Sequence, residues 1–326
     1  MTSRRHARGR TADGTAASQW RVPAHRLAPR PSARSDRIRV ATLNLWGRGG
    51  AWDDRRAVLI EGLRSLAPDV IGFQEAIKTD EYDQAADLLG PAYRVVSQTI
   101  GLIGDGNTAA IASRFPVREV REVDLRLTPR TADFPATTII AEILAPEPVG
   151  PLLFVNHLPS WKPPLELERE LQAVAAARAV EEMVDDRPRH AAVRPREDDV
   201  PERPRHVVLA GDLDAVPEAA SIRFLAGRQS LGGMSVRYRD VWAATHPGEP
   251  GHTFTQRDPL LMEESDVTME ESRRIDYIFV RSDDRGPSLV PASCRLIFDE
   301  PVRGVWASDH FGVVADLVVP SSPSTN

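Results

Sequence analysis

Five carboxylates and two histidines of this 326-residue chain stand at the ends of runs that read as buried strands. Glu75 closes Val-Ile-Gly-Phe-Gln-Glu, and Asp212 and Asp214 follow Val-Val-Leu-Ala-Gly. Asp276 lies in Arg-Ile-Asp-Tyr-Ile-Phe-Val, and Ser308-Asp309-His310 precedes the last apolar run. Val-Ala-Thr-Leu runs into Asn44, and Leu-Leu-Phe-Val runs into Asn156 and His157. Any one of these is explained as a turn or cap residue. Together they suggest one site, because converging carboxylates repel and lose solvation unless a cation or shared protons compensate. Hard oxygen donors without cysteine favour magnesium or manganese over zinc. Histidines beside them supply acid, base or transition-state contacts near neutral pH. Such a set suits metal-assisted phosphoester hydrolysis, with a cation on the phosphate oxygens, an activated water and a positive group facing the developing charge.

Short β-branched runs must position these residues. Segments 38–45, 69–73, 93–99, 108–112, 137–144, 152–155, 206–209, 275–280 and 311–319 are expected strands, bounded by turn formers. Two segments have helical spacing: 54–66, through Val58, Leu59, Leu63 and Leu66, and 165–184, through Leu167, Leu171, Val174 and Val180. Strands with few helices predict an α/β or α+β class with sheets as the core. Ligand groups at strand ends are typical of open α/β sheets.

Length and 41% apolar content support one large domain with a substantial core. We expect that domain over residues 38–319. Residues 1–37 carry nine arginines against Asp13 and Asp36, a balance of +7 that leaves −13 for the remainder of a chain whose total is −6. This composition reads as a disordered, Arg-rich arm that is either a nucleic-acid grip or a solvated tail. Residues 185–205, with four prolines and many charges, read as an exposed loop, and 320–326 as a tail. Cys294 is the single cysteine, which excludes an internal disulfide framework. No apolar run has the length of a membrane span and no secretory leader is evident, so the expected location is cytoplasmic.

The ordered segments resemble the endonuclease/exonuclease/phosphatase superfamily, also called DNase I-like. They are ATLNLWG (41–47), DVIGFQEA (69–76), ASRFPV (112–117), VNHLPSW (155–161), RELQ (169–172), LAGDLDAVP (209–217), HTF (252–254), RRIDYIFV (273–280) and ASDHFGVV (307–314). The resemblance implies a four-layer αββα sandwich of two packed mixed sheets flanked by helices. It implies Glu75 as principal ligand of Mg2+ or Mn2+, with Asn44 beside it and Asp309 near the metal. His310 is implied to touch the scissile phosphate with its ring oriented by Asp276. His157 would face the phosphate as a donor, and Asp212 would orient or deprotonate the attacking water.

Two positions depart from the family pattern. Asp214 stands where the family usually has asparagine, so it is protonated, binds a second cation or marks weakened catalysis. A carboxylate accepts where an amide donates. Trp46 follows Asn-Leu where several family nucleases carry an acid; it either lines the substrate entrance, with Asn156 nearby, or packs in the core. Arg114 reads as a structural ion-pair partner, and 255–273 as a lid or exposed loop.

Three functions follow as expectations. The first is a divalent-metal phosphodiesterase on nucleic acid, with the arm adding affinity. The second is the same chemistry on a smaller or lipid phosphoester, favoured by the acidic body and the absence of a basic, aromatic stripe. The third is a non-catalytic binding module on the same scaffold. Oligomeric state is left open.

Overall fold

All nine expected strands form, because their β-branched residues alternate between two apolar surroundings. The computed structural model describes residues 36–104, 106–185, 206–262, 271–284 and 286–320. Nearly all of the arm, the charged loop beyond Asp185, and the tail after Pro320 lie outside the described residues.

The described strands are β1 (Arg37–Asn44), β2 (Val70–Ile77), β3 (Arg94–Ser97), β4 (Asn107–Ser113), β5 (Val117–Asp124), β6 (Thr137–Leu144), β7 (Pro151–Leu158), β8 (His206–Asp212), β9 (Tyr238–Asp240), β10 (Asp276–Asp283), β11 (Gly286–Pro287), β12 (Val290–Ile297) and β13 (Gly312–Val318). The described helices are α1 (Trp52–Leu66), α2 (Gln84–Leu89), α3 (Glu166–Asp185), α4 (Ala220–Leu225) and α5 (Val241–Thr245). One sheet has the order β12-β13-β1-β2-β4-β3, and the second has β11-β10-β8-β7-β6-β5 with β9 on β10.

Each sheet contains a parallel pair, β1 with β2 and β7 with β8. A parallel pair needs a crossover, and α1 and α3 supply the two. Both pairs send their C-terminal ends to the same place, and there the polar residues collect. Between the sheets, Ile38, Val40 and Val70 share a core with Ile139, Phe154, Val208 and Ile278. The opposite parity of the first sheet, Leu43, Ile71 and Phe73, packs with Leu59, Leu63 and Leu66 of α1. On the second sheet, Leu153, Val155, Leu209 and Phe279 pack with Ala173, Ala177 and Val180 of α3. Helix, sheet, sheet and helix are thus stacked in four layers, the expected α/β sandwich. No described helix is long and apolar enough to cross a membrane.

Several expectations need correction. Leu167 and Leu171 are exposed, and the first half of α3 instead buries Glu168, Arg169 and Gln172. Gln172 and Arg169 are buried because they bond the loop after β7: Gln172 binds Ser160 and the Leu125 carbonyl, and Arg169 binds the carbonyls of Ser160, Lys162 and Pro163. Strand β5 was missed because its valines recur every third residue, a pattern rectified by a register shift between Val117 and Val120. Strand β12 was missed because of Pro291, which an edge strand tolerates at its own register shift. Arg114 forms no ion pair among the described residues; its guanidinium lies over the Tyr93 ring at 5.4 Å. The expected exposed loop is buried in its first part, at Thr255, Asp258 and Leu261, and its residues 263–270 lie outside the described residues.

Candidate active site

The inward-facing positions change from apolar to polar at one end of the sandwich. Along β1 they run Ile38, Val40, Thr42, Asn44; along β2, Val70, Gly72, Gln74; along β7, Phe154 then Asn156; along β8, Val208, Ala210, Asp212. Strand β10 is antiparallel to β8, so its first residue, Asp276, pairs with the last of β8, Asp212. Strand alternation and strand direction together deliver these side chains to one end of the sandwich.

Asn44 donates from its amide nitrogen to Glu75 Oε1 and to Asp212 Oδ2, both at 3.0 Å, linking carboxylates from the two sheets. Its oxygen accepts the Trp46 N–H at 2.9 Å. His310 Nδ1 lies 3.1 Å from Asp276 Oδ2, and its Nε2 lies 3.8 Å from Asp212 Oδ2. Ligand atoms of Asp212, Asp276 and His310 lie within 4.8 Å of one another, a buried group that could bind a metal. Ser308 donates to the Asn44 carbonyl oxygen at 2.7 Å, tying the loop before β13 to the end of β1. Asp309 is buried beside them.

Trp46, Glu75 and Asp214 all have left-handed φ, between 51° and 52°. Such values are sparse outside glycine and concentrate where structure around a site holds them. Glu75 sits in the register shift between β2 and β4, and the Asp214 N–H donates to Asp212 Oδ1 at 3.2 Å. Gly211 lets β8 approach β7: a Cβ there would stand 2.0 Å from the His157 carbonyl oxygen. His157 is buried, with Nδ1 2.7 Å from Thr138 Oγ1.

Burial and crowding shift the protons. Burial, with the charge of Asp309, pushes the Glu75 carboxyl up to about 7 against the hydrogen bond from Asn44. Burial pushes Asp214 up to about 6, held back by His310, Arg169 and Arg273. Asp212 is raised well above the carboxylate range by burial and by Asp214. Burial alone would lower His310, but Asp276, Asp212 and Asp309 outweigh it and raise the imidazole well above its ordinary value. Burial pushes His157 down to about 3, so its ring is neutral. Excess negative charge forced to take up protons is what an oxygen-liganded divalent cation relieves, and Asp212, Asp276 and His310 form a described group that could hold one.

Nine of the ten expected site residues stand at this end of the sandwich. Asn156 lies deeper: its oxygen accepts from Gln74 at 2.5 Å, and its nitrogen donates to the carbonyls of Phe73 and Ala110. It is fully buried and ties one sheet to the other. Trp46 packs against Gly49, where a Cβ would stand 2.7 Å from the indole, and its ring lies 4.7 Å from the Arg55 guanidinium. Sequence reading missed Arg55, which is buried and donates to the carbonyls of Leu45, Gly49 and Ala307. Its position on the stripe of Trp52, Leu59 and Leu63 was the available signal, a charge on an apolar helix face. Asp258, buried and pushed up to about 6 by that burial, was also missed.

Residues 41–310 match the profile of the Endonuclease/Exonuclease/phosphatase family, and the chain belongs to it. No curated protein sequence matches. Solved structures are similar in fold. D. rerio TDP2 complexed with single strand DNA product has a TM-score of 0.61 and 22% identity, covering 87% of this chain and 99% of that one. Truncated Caenorhabditis elegans TDP2 has a TM-score of 0.63 and 17% identity, covering 87% and 98%. The human Nocturnin catalytic domain with bound sulfate anion has a TM-score of 0.60 and 16% identity, covering 87% and 95%.

Proposed function

We propose that the chain is a divalent-metal-dependent phosphoesterase that hydrolyses a phosphodiester by attack of an activated water. The observation that carries this is the Asn44 amide joining Glu75 to Asp212, with His310 held between Asp212 and Asp276. A magnesium or manganese ion held by Glu75, with Asn44 and Asp309 beside it, would neutralise charge on the phosphate oxygens. Asp212, a carboxylate with raised proton affinity, orients the water and accepts its proton. His310, kept as imidazolium by Asp276 and its other acidic neighbours, faces the developing charge. His157 is neutral; in the tautomer where Thr138 donates to Nδ1, its proton sits on Nε2 and would be the donor to the phosphate. Asp214, pushed up to about 6 by burial, supplies in its protonated form the donor that an amide would otherwise provide. Trp46 lines the entrance, held by Arg55 beneath.

A nucleic-acid strand is the first substrate reading, supported by the similar fold of a TDP2 complexed with single strand DNA product and by the +7 arm. A smaller or lipid phosphoester is the second, supported by the −13 of the remaining chain. The single cysteine, buried Cys294, agrees with the cytoplasmic location we assign.

The test is turnover with magnesium or manganese on plasmid, abasic duplex, RNA, bis-p-nitrophenyl phosphate, sphingomyelin and inositol phosphates. EDTA should abolish every true signal. Silence across the panel would leave a binding module on the same scaffold. Deleting residues 1–37 should flatten the salt dependence of nucleic-acid binding; an unchanged slope rejects the grip.

A further inference from the structure

Arg273 stands immediately outside the catalytic cluster. Its backbone pairs with Phe254, whose ring leans against the His310 ring at 4.8 Å between centroids and 54° between planes. The Arg273 guanidinium covers that Phe254 ring at 5.1 Å. Phe254 thus touches both the imidazole and the guanidinium.

The neighbouring cations are already committed. Arg274 pairs with Asp240 at 2.9 Å, Lys162 with Asp133, and Arg257 with Glu300 at 2.6 Å. Arg169 is buried against Glu166 and three carbonyls. Arg55 is buried against backbone oxygens. Arg273 is half-exposed, and among the described residues no carboxylate lies within ion-pair distance of it. A guanidinium fixed over an aromatic ring, with no described carboxylate paired to it, is pre-organised for an anion. The Phe254 ring contacts both His310 and Arg273, and the Arg273 charge reaches Asp214, so the guanidinium borders the cluster on its Phe254 side.

We propose that Arg273 is a specificity residue that receives a second phosphate of the substrate, next to the one undergoing hydrolysis. This rests on the phosphoesterase reading and narrows it to substrates with at least two phosphates, so isolated neutral-flanked diesters are poor ones. Two sources share that chemistry, an oligonucleotide strand and an inositol polyphosphate. Phe254 acts with Arg273 by holding the guanidinium in place, and a lysine there keeps the charge but loses the planar donor fork.

The experiment compares kcat/KM, with magnesium, for substrates differing by one phosphate: d(TpT) against d(TpTpT), and inositol monophosphate against inositol bisphosphate. The full chain and its Arg273→Met, Arg273→Lys and Arg257→Met variants are used. In Arg273→Met the preference for the substrate with the additional phosphate should fall at least tenfold within one pair, and that pair identifies the source. Arg273→Lys should recover part of it, and Arg257→Met, which removes an exposed charge elsewhere, should keep the wild-type preference. Equal losses on both members of each pair, or an unchanged preference, overturn the proposal. Absence of turnover in the wild type fails the hydrolase reading alone. The anion site is then read by equilibrium binding of fluorescein-labelled hexathymidylate and of inositol hexakisphosphate. Arg273→Met should weaken one of them tenfold and, for the strand, reduce the slope of log K against log salt by about 0.7. Equal affinities of wild type and Arg273→Met for both ligands overturn the proposal.

Discussion

His310 Nδ1 and Asp276 Oδ2 lie 3.1 Å apart, joining the loop that leads into β13 of one sheet to the first residue of β10 in the other. The bond fixes the ring orientation and keeps the imidazole protonated. Removing it therefore acts on both position and charge. His310→Ala and Glu75→Ala should each reduce turnover by at least about 10², and wild-type rates in both would end the assignment.

Asp276→Asn tests the charge separately. On the proposed mechanism the rate needs His310 protonated and falls as pH rises through its pKa. Losing the negative neighbour lowers that pKa, so the alkaline limb of the pH–rate profile should move to lower pH. A limb that stays in place would mean that another group titrates there.

Proton uptake at Glu75 predicts how the metal-free protein responds to pH. Its carboxyl, at about 7 in the fold against 4.5 ordinarily, binds a proton that the unfolded chain has released. Stability from this group is full below the ordinary value and is lost as pH rises through the folded one. In EDTA, Tm should therefore decline between about pH 5 and pH 8, and Glu75→Gln should flatten the decline. Magnesium at a hundredfold excess over Kd should stabilise the wild type by about 2.7 kcal/mol at neutral pH, and Glu75→Gln much less. Equal thermal shifts in both proteins would place the ion elsewhere.

Asp214→Asn removes the neighbouring charge that, after burial, does most to raise Asp212. The acid limb of the pH–rate profile should move to lower pH, because Asp212 ionises more readily. Turnover at neutral pH should persist, since an amide still donates. Loss of turnover with the limb unmoved would show that Asp214 itself carries a step.

Two buried polar ties predict stability rather than chemistry. Arg55→Met leaves the Leu45, Gly49 and Ala307 carbonyls without their donor, and should cost about 3 kcal/mol in urea unfolding and shift Trp46 fluorescence. Asn156→Ala strands Gln74 and two backbone carbonyls, and should cost about 3 kcal/mol. If Asn156 instead met substrate, KM would rise with stability intact.

Much of the candidate site was legible because catalytic side chains break local rules. Glu75, Asp212 and Asp276 are charges at the ends of β-branched runs, where a packed sheet would choose otherwise, and the periodicity of the strands is a local property. Residues that act through distant partners leave no comparable trace. Gln172 and Arg169 stood out only as part of the RELQ segment, and nothing local shows that they are buried because the loop after β7 needs their hydrogen bonds. Nothing local to Arg273 shows that its guanidinium lies over the Phe254 ring.

The positions of most strands, of the two long helices and of the acidic tips were legible in the sequence alone, since each follows from spacing over a few residues. Which tips meet was decided only by tertiary structure. Asp276 lies 64 residues from Asp212 along the chain and opposite it in the sheet, and Asn44 reaches Asp212 across the gap between two sheets. Proton affinity belongs to the same category, because burial and neighbouring charge exist only after the chain has folded.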